Sequence, residues 1–237
     1  MQHVLQESTI DNVPRIAAVI SGNEDQRHVG VLYRRGDDPL RKLHLGFHHF
    51  LLDEEVSVKS ANGLSLWVGC DDLDDSEANV FATWLAKIFE KNRKTIPYGI
   101  NYWKGPHFDP ADGKYVQSKE GFGLTCATFV IALFEVFGYE IIDIETWPSR
   151  DDDNEFHERI IEMLRNPQQV RNVDIDSSEH QAHIQAQISG MGIAPRFRPE
   201  EVASSIGLYE GSALPYQVVE PAGRELVIKM QEAGLFS

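Results

Sequence analysis

The sequence predicts an α+β fold, in which a small antiparallel sheet packs on one strongly apolar helix and a mostly helical stretch follows. Three observations carry this: two alternating segments joined by turn residues, a nearly unbroken apolar run near residue 130, and a series of helix signatures after residue 150.

Residues 28–34 alternate, with Val29, Val31 and Tyr33 on one face and His28, Gly30 and Leu32 on the other. Gly36–Asp37–Asp38–Pro39 supplies a turn. The alternation then resumes, with Leu43, Leu45 and Phe47 opposed to His44, Gly46 and His48. Residues 64–69 read as a third strand. A helix follows, with Val80, Phe81, Trp84, Leu85, Ile88 and Phe89 on one face and Asp75 or Ser76 as its cap. Residues 97–123 are rich in glycine and proline, and their aromatics include Tyr98, Tyr102 and Trp103. An irregular stretch of that length suits a substrate cleft. A second helix is expected over residues 125–137, capped by Thr125 and stopped by Gly138. Residues 139–144 read as a strand. Helices are then expected over 155–165, 178–189, 199–206 and 225–233. This divides the chain into a core over 1–148 and a mostly helical extension over 149–237, which could belong to the same domain and cover the cleft.

Composition narrows the function classes. The chain has 237 residues, a net charge of −15 and two cysteines, Cys70 and Cys126. Such an acidic surface disfavours nucleic acid and anionic membranes as partners. The acidic runs Asp71–Asp75 and Asp151–Glu155 read as solvated helix starts. The longest apolar stretch, Phe129 to Phe137, is too short to span a bilayer and contains Glu135, so no stable membrane insertion is expected. The first residues carry no basic segment or long apolar run, so a cytoplasmic, reducing location is expected, with no disulfide framework.

Cys126 stands at the first turn of the apolar helix. Free N–H groups and the helix dipole there would lower a thiol's pKa and could hold an oxyanion. Gly121 and Gly123 would let a substrate backbone approach. A nucleophilic thiol also needs an imidazole and a group to orient it. His28 and His44 lie on corresponding faces of successive strands, each followed two residues later by glycine, so one hairpin could present both to one spot. A slip of register would substitute His48 or His49 for His44.

The segments RHVGVLYRRG and LRKLHLGF resemble the paired-histidine hairpin of the NlpC-type cysteine peptidases. Ile96–Pro97–Tyr98–Gly99 is similar to that family's Pro-Tyr segment, and GFGLTCATFV to its nucleophile helix start. Both histidines precede the cysteine here. That is the order of the circularly permuted branch, which includes the lecithin–retinol acyltransferase-like enzymes, whose Cys-x-x-Phe-Val matches Cys126, Phe129 and Val130. Thr125 stands where the cell-wall enzymes carry an acidic residue and Ala127 where they carry serine. The acyltransferase group's Asn and Glu-His around the cysteine are absent. The resemblance covers roughly residues 25–140.

It implies a papain-like fold in permuted order, with Cys126 as nucleophile, His28 as base and later acid, and His44 as orienter. Tyr98, Thr125 and Gly123 would sit at the substrate or oxyanion. The implied activity is hydrolysis of an amide, isopeptide or ester bond through a thioester, without cofactor or metal. The substrate would be a peptide, a protein conjugate or an acylated small molecule. An acyltransferase or lipid thioesterase using the same site, and a silent binding module of the same fold, are the alternatives. His180 and His183 fall one helical turn apart but lack the HExxH form, so they read as a solvated helix face. Cys70, beside Asp71, is a poor nucleophile because neighbouring acid raises a thiol's pKa.

Overall fold

Six strands, β1 (Gln2–Val4), β2 (Ile16–Gly22), β3 (Arg27–Tyr33), β4 (Arg41–Leu45), β5 (Leu51–Glu55) and β6 (Leu66–Gly69), form one sheet in the order β1-β6-β2-β3-β4-β5. Every neighbouring pair is antiparallel. The computed structural model describes residues 2–5, 10–56, 65–116, 121–170 and 173–235. Leu64, expected at the start of the third strand, lies outside them. The fold class is α+β, with helices α1 (Asp75–Asn92), α2 (Cys126–Val136), α3 (Asp153–Arg165), α4 (Ser178–Gly190), α5 (Pro199–Leu208) and α6 (Tyr216–Glu232) among the described residues.

The alternation in β3 and β4 reflects two different coverings. Val29, Val31, Tyr33, Leu43 and Leu45 enter the main core beneath the helices, while Leu32 joins a smaller cluster with Val13, Ala17, Val19, Leu40 and Trp67 on the opposite face. Strand β2 has no alternation because it is covered on both sides: Ile16, Ala18 and Ile20 meet the main core, Ala17 and Val19 the smaller one. That is why it escaped the sequence reading, as did β1 and β5. Register pairs Val31 with Leu43 and Tyr33 with Arg41. Strand β4 ends at Leu45, and His49 takes a left-handed turn at φ 66°. His48 and His49 therefore leave the sheet instead of extending the His44 face.

Helix α2 is buried from Cys126 through Phe134 and packs on β3 and β4. A helix apolar all round belongs at the centre of a core. Helix α1 is capped by Asp74, one residue earlier than expected, with Glu77 completing a capping box. Residues 139–144 form no strand; Ile142 makes only an isolated bridge to Leu214 before a 3-10 turn at Ile144–Thr146. Helix α6 begins at Tyr216, nine residues ahead of the expected start at 225 and despite Pro221 within it. The later helices share the main core, through Ile160, Leu164, Ile184, Val202, Ile206 and Leu226. Among the described residues, no helix is long and apolar enough to cross a membrane.

Candidate active site

The site begins with the start of α2. The Thr125 side chain accepts the Thr128 N–H at 3.2 Å, and Thr125 N–H donates to the Thr128 hydroxyl at 2.7 Å. This capping box fixes the first turn. Thr125 lines the cleft, and its hydroxyl takes part in the cap.

Cys126 follows, with the Val29 N–H from β3, the Tyr98 hydroxyl and the Ala127 N–H near enough to favour a charged sulfur. The Cys126 N–H likewise lies near enough to the Tyr98 hydroxyl to favour its charged form. The thiol is buried, at 6% exposure, and its pKa is raised, with burial outweighing those donors and the nearby Arg196 charge. The helix start alone pointed the other way. Desolvation of a sulfur packed under later helices reverses the sign, so the resting group is a neutral thiol.

Tyr98 is held from behind. Its N–H donates to His48 Nδ1 at 3.2 Å, and its carbonyl accepts from His183 Nε2 at 2.9 Å. The next turn is clamped by Gln187 of α4, which accepts the Ile100 N–H at 2.7 Å and donates to the Gly121 carbonyl. Leu124 N–H donates to the Pro97 carbonyl at 2.9 Å, drawing the two segments together. A Cβ on Gly123 would stand 2.7 Å from the Pro97 oxygen and 2.8 Å from the Gly99 nitrogen. Gly123 thus admits the close approach of the chain's own backbone at Pro97 and Gly99.

His28 and His44 meet. His28 Nε2 lies 2.8 Å from His44 Nδ1, with the rings edge to face. Gly30 makes this possible, since a Cβ there would stand 2.8 Å from the His44 Cβ. His44 Nε2 in turn faces the Glu54 carboxylate on β5 at 3.4 Å. The chain of partners selects tautomers. A carboxylate only accepts, so His44 carries its proton on Nε2 and presents a bare Nδ1. His28 then donates from Nε2, which leaves its Nδ1 as the basic nitrogen. Burial pushes the His28 pKa down to about 3, aided by His44 and Lys42, and that of His44 to about 4, aided by Lys42. Both imidazoles are therefore neutral at pH 7.

His28 and Cys126 line one cleft of about 110 Å³, together with Phe47, Tyr98 and Thr125. Among the described residues no hydrogen bond joins the two. Phe156, Ile160 and Met163 of α3, with Arg196 and Phe197, form the opposite wall, so the C-terminal part of the chain covers the thiol.

The other histidines gather elsewhere. His48 packs against His49, His180 and His183 with ring centroids 4.1, 5.4 and 5.6 Å away. His180 and His183 are buried and bonded to the Leu164 and Tyr98 carbonyls, not set on a solvated face. Among the described residues, no group of three or more His, Cys, Asp or Glu has a geometry that could hold a metal ion. Cys70 is buried, which pushes its thiol up to about 11.

Glu54, Gln187 and Arg196 were not singled out from sequence. Glu54 was within reach of a hairpin register, because β4–β5 pairing sets Lys42 against Glu54 and His44 against Leu52 on one face. Gln187 and Arg196 arrive from distant helices and loops and carry no local signal.

A scan against protein-family models, a search of curated proteins and a search of solved structures each return no match to this chain.

Proposed function

We propose that this chain is a cysteine-dependent hydrolase of amide, isopeptide or small ester bonds, on a papain-like arrangement in permuted order. The observation that carries the reading is the relay Glu54–His44–His28 ending in the cleft that holds Cys126, with Tyr98 on the sulfur.

The chemistry follows from neutral partners. As Sγ attacks the substrate carbonyl, its proton passes to His28 Nδ1, so no thiolate need accumulate in the buried site. The imidazolium formed is stabilised through His44 by the Glu54 carboxylate. Negative charge develops on the carbonyl oxygen beside the Cys126 N–H, which is free of an intrahelical partner at the helix start, and the Tyr98 hydroxyl, whose hydrogen can rotate to the oxyanion. His28 then returns the proton to the departing nitrogen or oxygen, leaving a thioester. Water attacks this thioester, giving its proton to His28, and the acid departs as the thiol reforms.

Three arginines in the cleft lining, Arg27, Arg159 and Arg196, favour a polar substrate over a lipid chain. The test is a screen with peptide, isopeptide and ester substrates, followed by Cys126→Ala. Turnover is expected to fall by at least about 10⁴-fold with the melting temperature nearly unchanged. Undiminished turnover in that variant would refute the reading.

A further inference from the structure

The cleft wall contains a guanidinium without a directly bonded partner. Arg27 is tied to Glu200 through contacts of 2.8 and 3.0 Å, Arg198 to Asp152, and Arg150 to Glu201. Arg196 alone in this group makes no direct ion pair or hydrogen bond through its side chain among the described residues, although the Glu200 and Asp153 carboxylates are close enough to favour its charge. Its guanidinium carbon sits 4.1 Å from the centre of the Phe156 ring, which fixes its direction. It is half-buried and lines the same cleft as Cys126. Its charge is felt by both the thiol and the Tyr98 hydroxyl.

A half-buried cation without a directly bonded carboxylate keeps its donors free for a ligand, unlike its three neighbours, whose guanidiniums are bonded to carboxylates. Burial also holds the Arg196 pKa below the usual guanidinium range. An arginine in this position presents a planar fork of donors shaped for a carboxylate.

We infer that Arg196 is the anion-recognition residue of the cleft, and that the substrate carries a carboxylate close to the acyl group that Cys126 attacks. This rests on the proposed thiol chemistry and narrows its substrate class to acidic acyl compounds, such as peptides bearing an acidic residue or a free C-terminus beside the cleaved bond. Arg196 lies in the covering segment, outside the part of the chain that resembles a known family, so the specificity is a property of the cover and not of the relay.

Two alkylating reagents of similar size and different charge test the idea. Iodoacetate and iodoacetamide each form an S–CH₂ bond to Cys126 with loss of iodide, and peptide mass mapping reads the rate at each cysteine. Ordinary thiols react more slowly with the anionic reagent. Cys126 is expected to prefer iodoacetate, with saturation. The ratio of the two rates should fall at least about tenfold in Arg196→Gln and be largely kept in Arg196→Lys; tenfold is the effect of about 1.4 kcal/mol of reagent binding. On the unaltered protein, N-acetylglycine should protect Cys126 from iodoacetamide, while N-acetylglycinamide should not. This second measurement does not depend on any variant folding. Labelling of Cys126 by iodoacetamide with no preference for the anion and no protection would overturn the role of Arg196 and leave the thiol chemistry standing. A Cys126 inert to both reagents would remove the reactive thiol and this inference with it.

Discussion

Two groups of histidines occupy this molecule, and they differ in their partners. His28 and His44 form a chain of contacts that runs from a rim carboxylate to a residue lining the thiol's cleft. His48, His49, His180 and His183 form a packed cluster whose members anchor backbone: His48 takes the Tyr98 N–H, while His180 and His183 bond to carbonyls. In the proposed chemistry the first group moves the proton, while the second holds the backbone of Tyr98. Residue type and burial are alike in the two; only the partners separate them.

The sharpest way to break this comparison is to delete one imidazole from each group. His28→Ala should slow acyl-enzyme formation by about 10²–10³-fold, the usual worth of a general base, with little change in melting temperature. His183→Ala should instead cost about 2–4 kcal/mol of stability, from a buried cavity and an unsatisfied Tyr98 carbonyl. Rapid-quench kinetics and urea unfolding on both variants would check the pair. Equal losses of rate and stability in the two would erase the distinction.

Acid should act on both groups at once. Burial lowers the pKa of His28 to about 3, of His44 and His49 to about 4, and of His48 to about 2. The unfolded chain takes up these protons near pH 6.5 and the folded chain does not. Stability is therefore undiminished by these groups above pH 6.5 and falls below it, by up to about 1.4 kcal/mol per pH unit for each histidine, until the folded values are reached. Urea midpoints between pH 7.5 and 4.5 would show this decline, and a flat profile would contradict it.

Smaller changes probe the relay alone. Gly30→Ala sets a methyl against the His44 Cβ and the Leu43 carbonyl, both 2.8 Å from its ideal position. It should cost about 1–3 kcal/mol and loosen the His28–His44 contact, seen as an altered imidazole NMR signal. Glu54→Gln should have the least effect, a fall of about two- to fivefold in kcat at unchanged KM. The contact is long, at 3.4 Å, and the carboxylate is 60% exposed, so solvent screens its charge.

Much of this was legible in the chain. Alternation in β3 and β4 paired His28 with His44, because a period of two puts residues of like parity on one face. The Thr125 cap and the apolar run announced α2 in the same way, since both signals are local. What stayed hidden depends on contacts between distant segments. Strand β2 is covered on both faces and so has no period to read, and α6 holds its helix through a proline by packing against α5. The His48–His183 cluster joins a hairpin turn to a helix more than 130 residues away.

The sequence by itself determined which residues could share a strand face or open a helix, because those relations follow from backbone geometry over a few residues. Only the tertiary structure decided the charge state of the thiol, the direction of the imidazole relay and the lone guanidinium opposite them. Each of those depends on how much water the later helices exclude, and on which carboxylates they bring along or leave out.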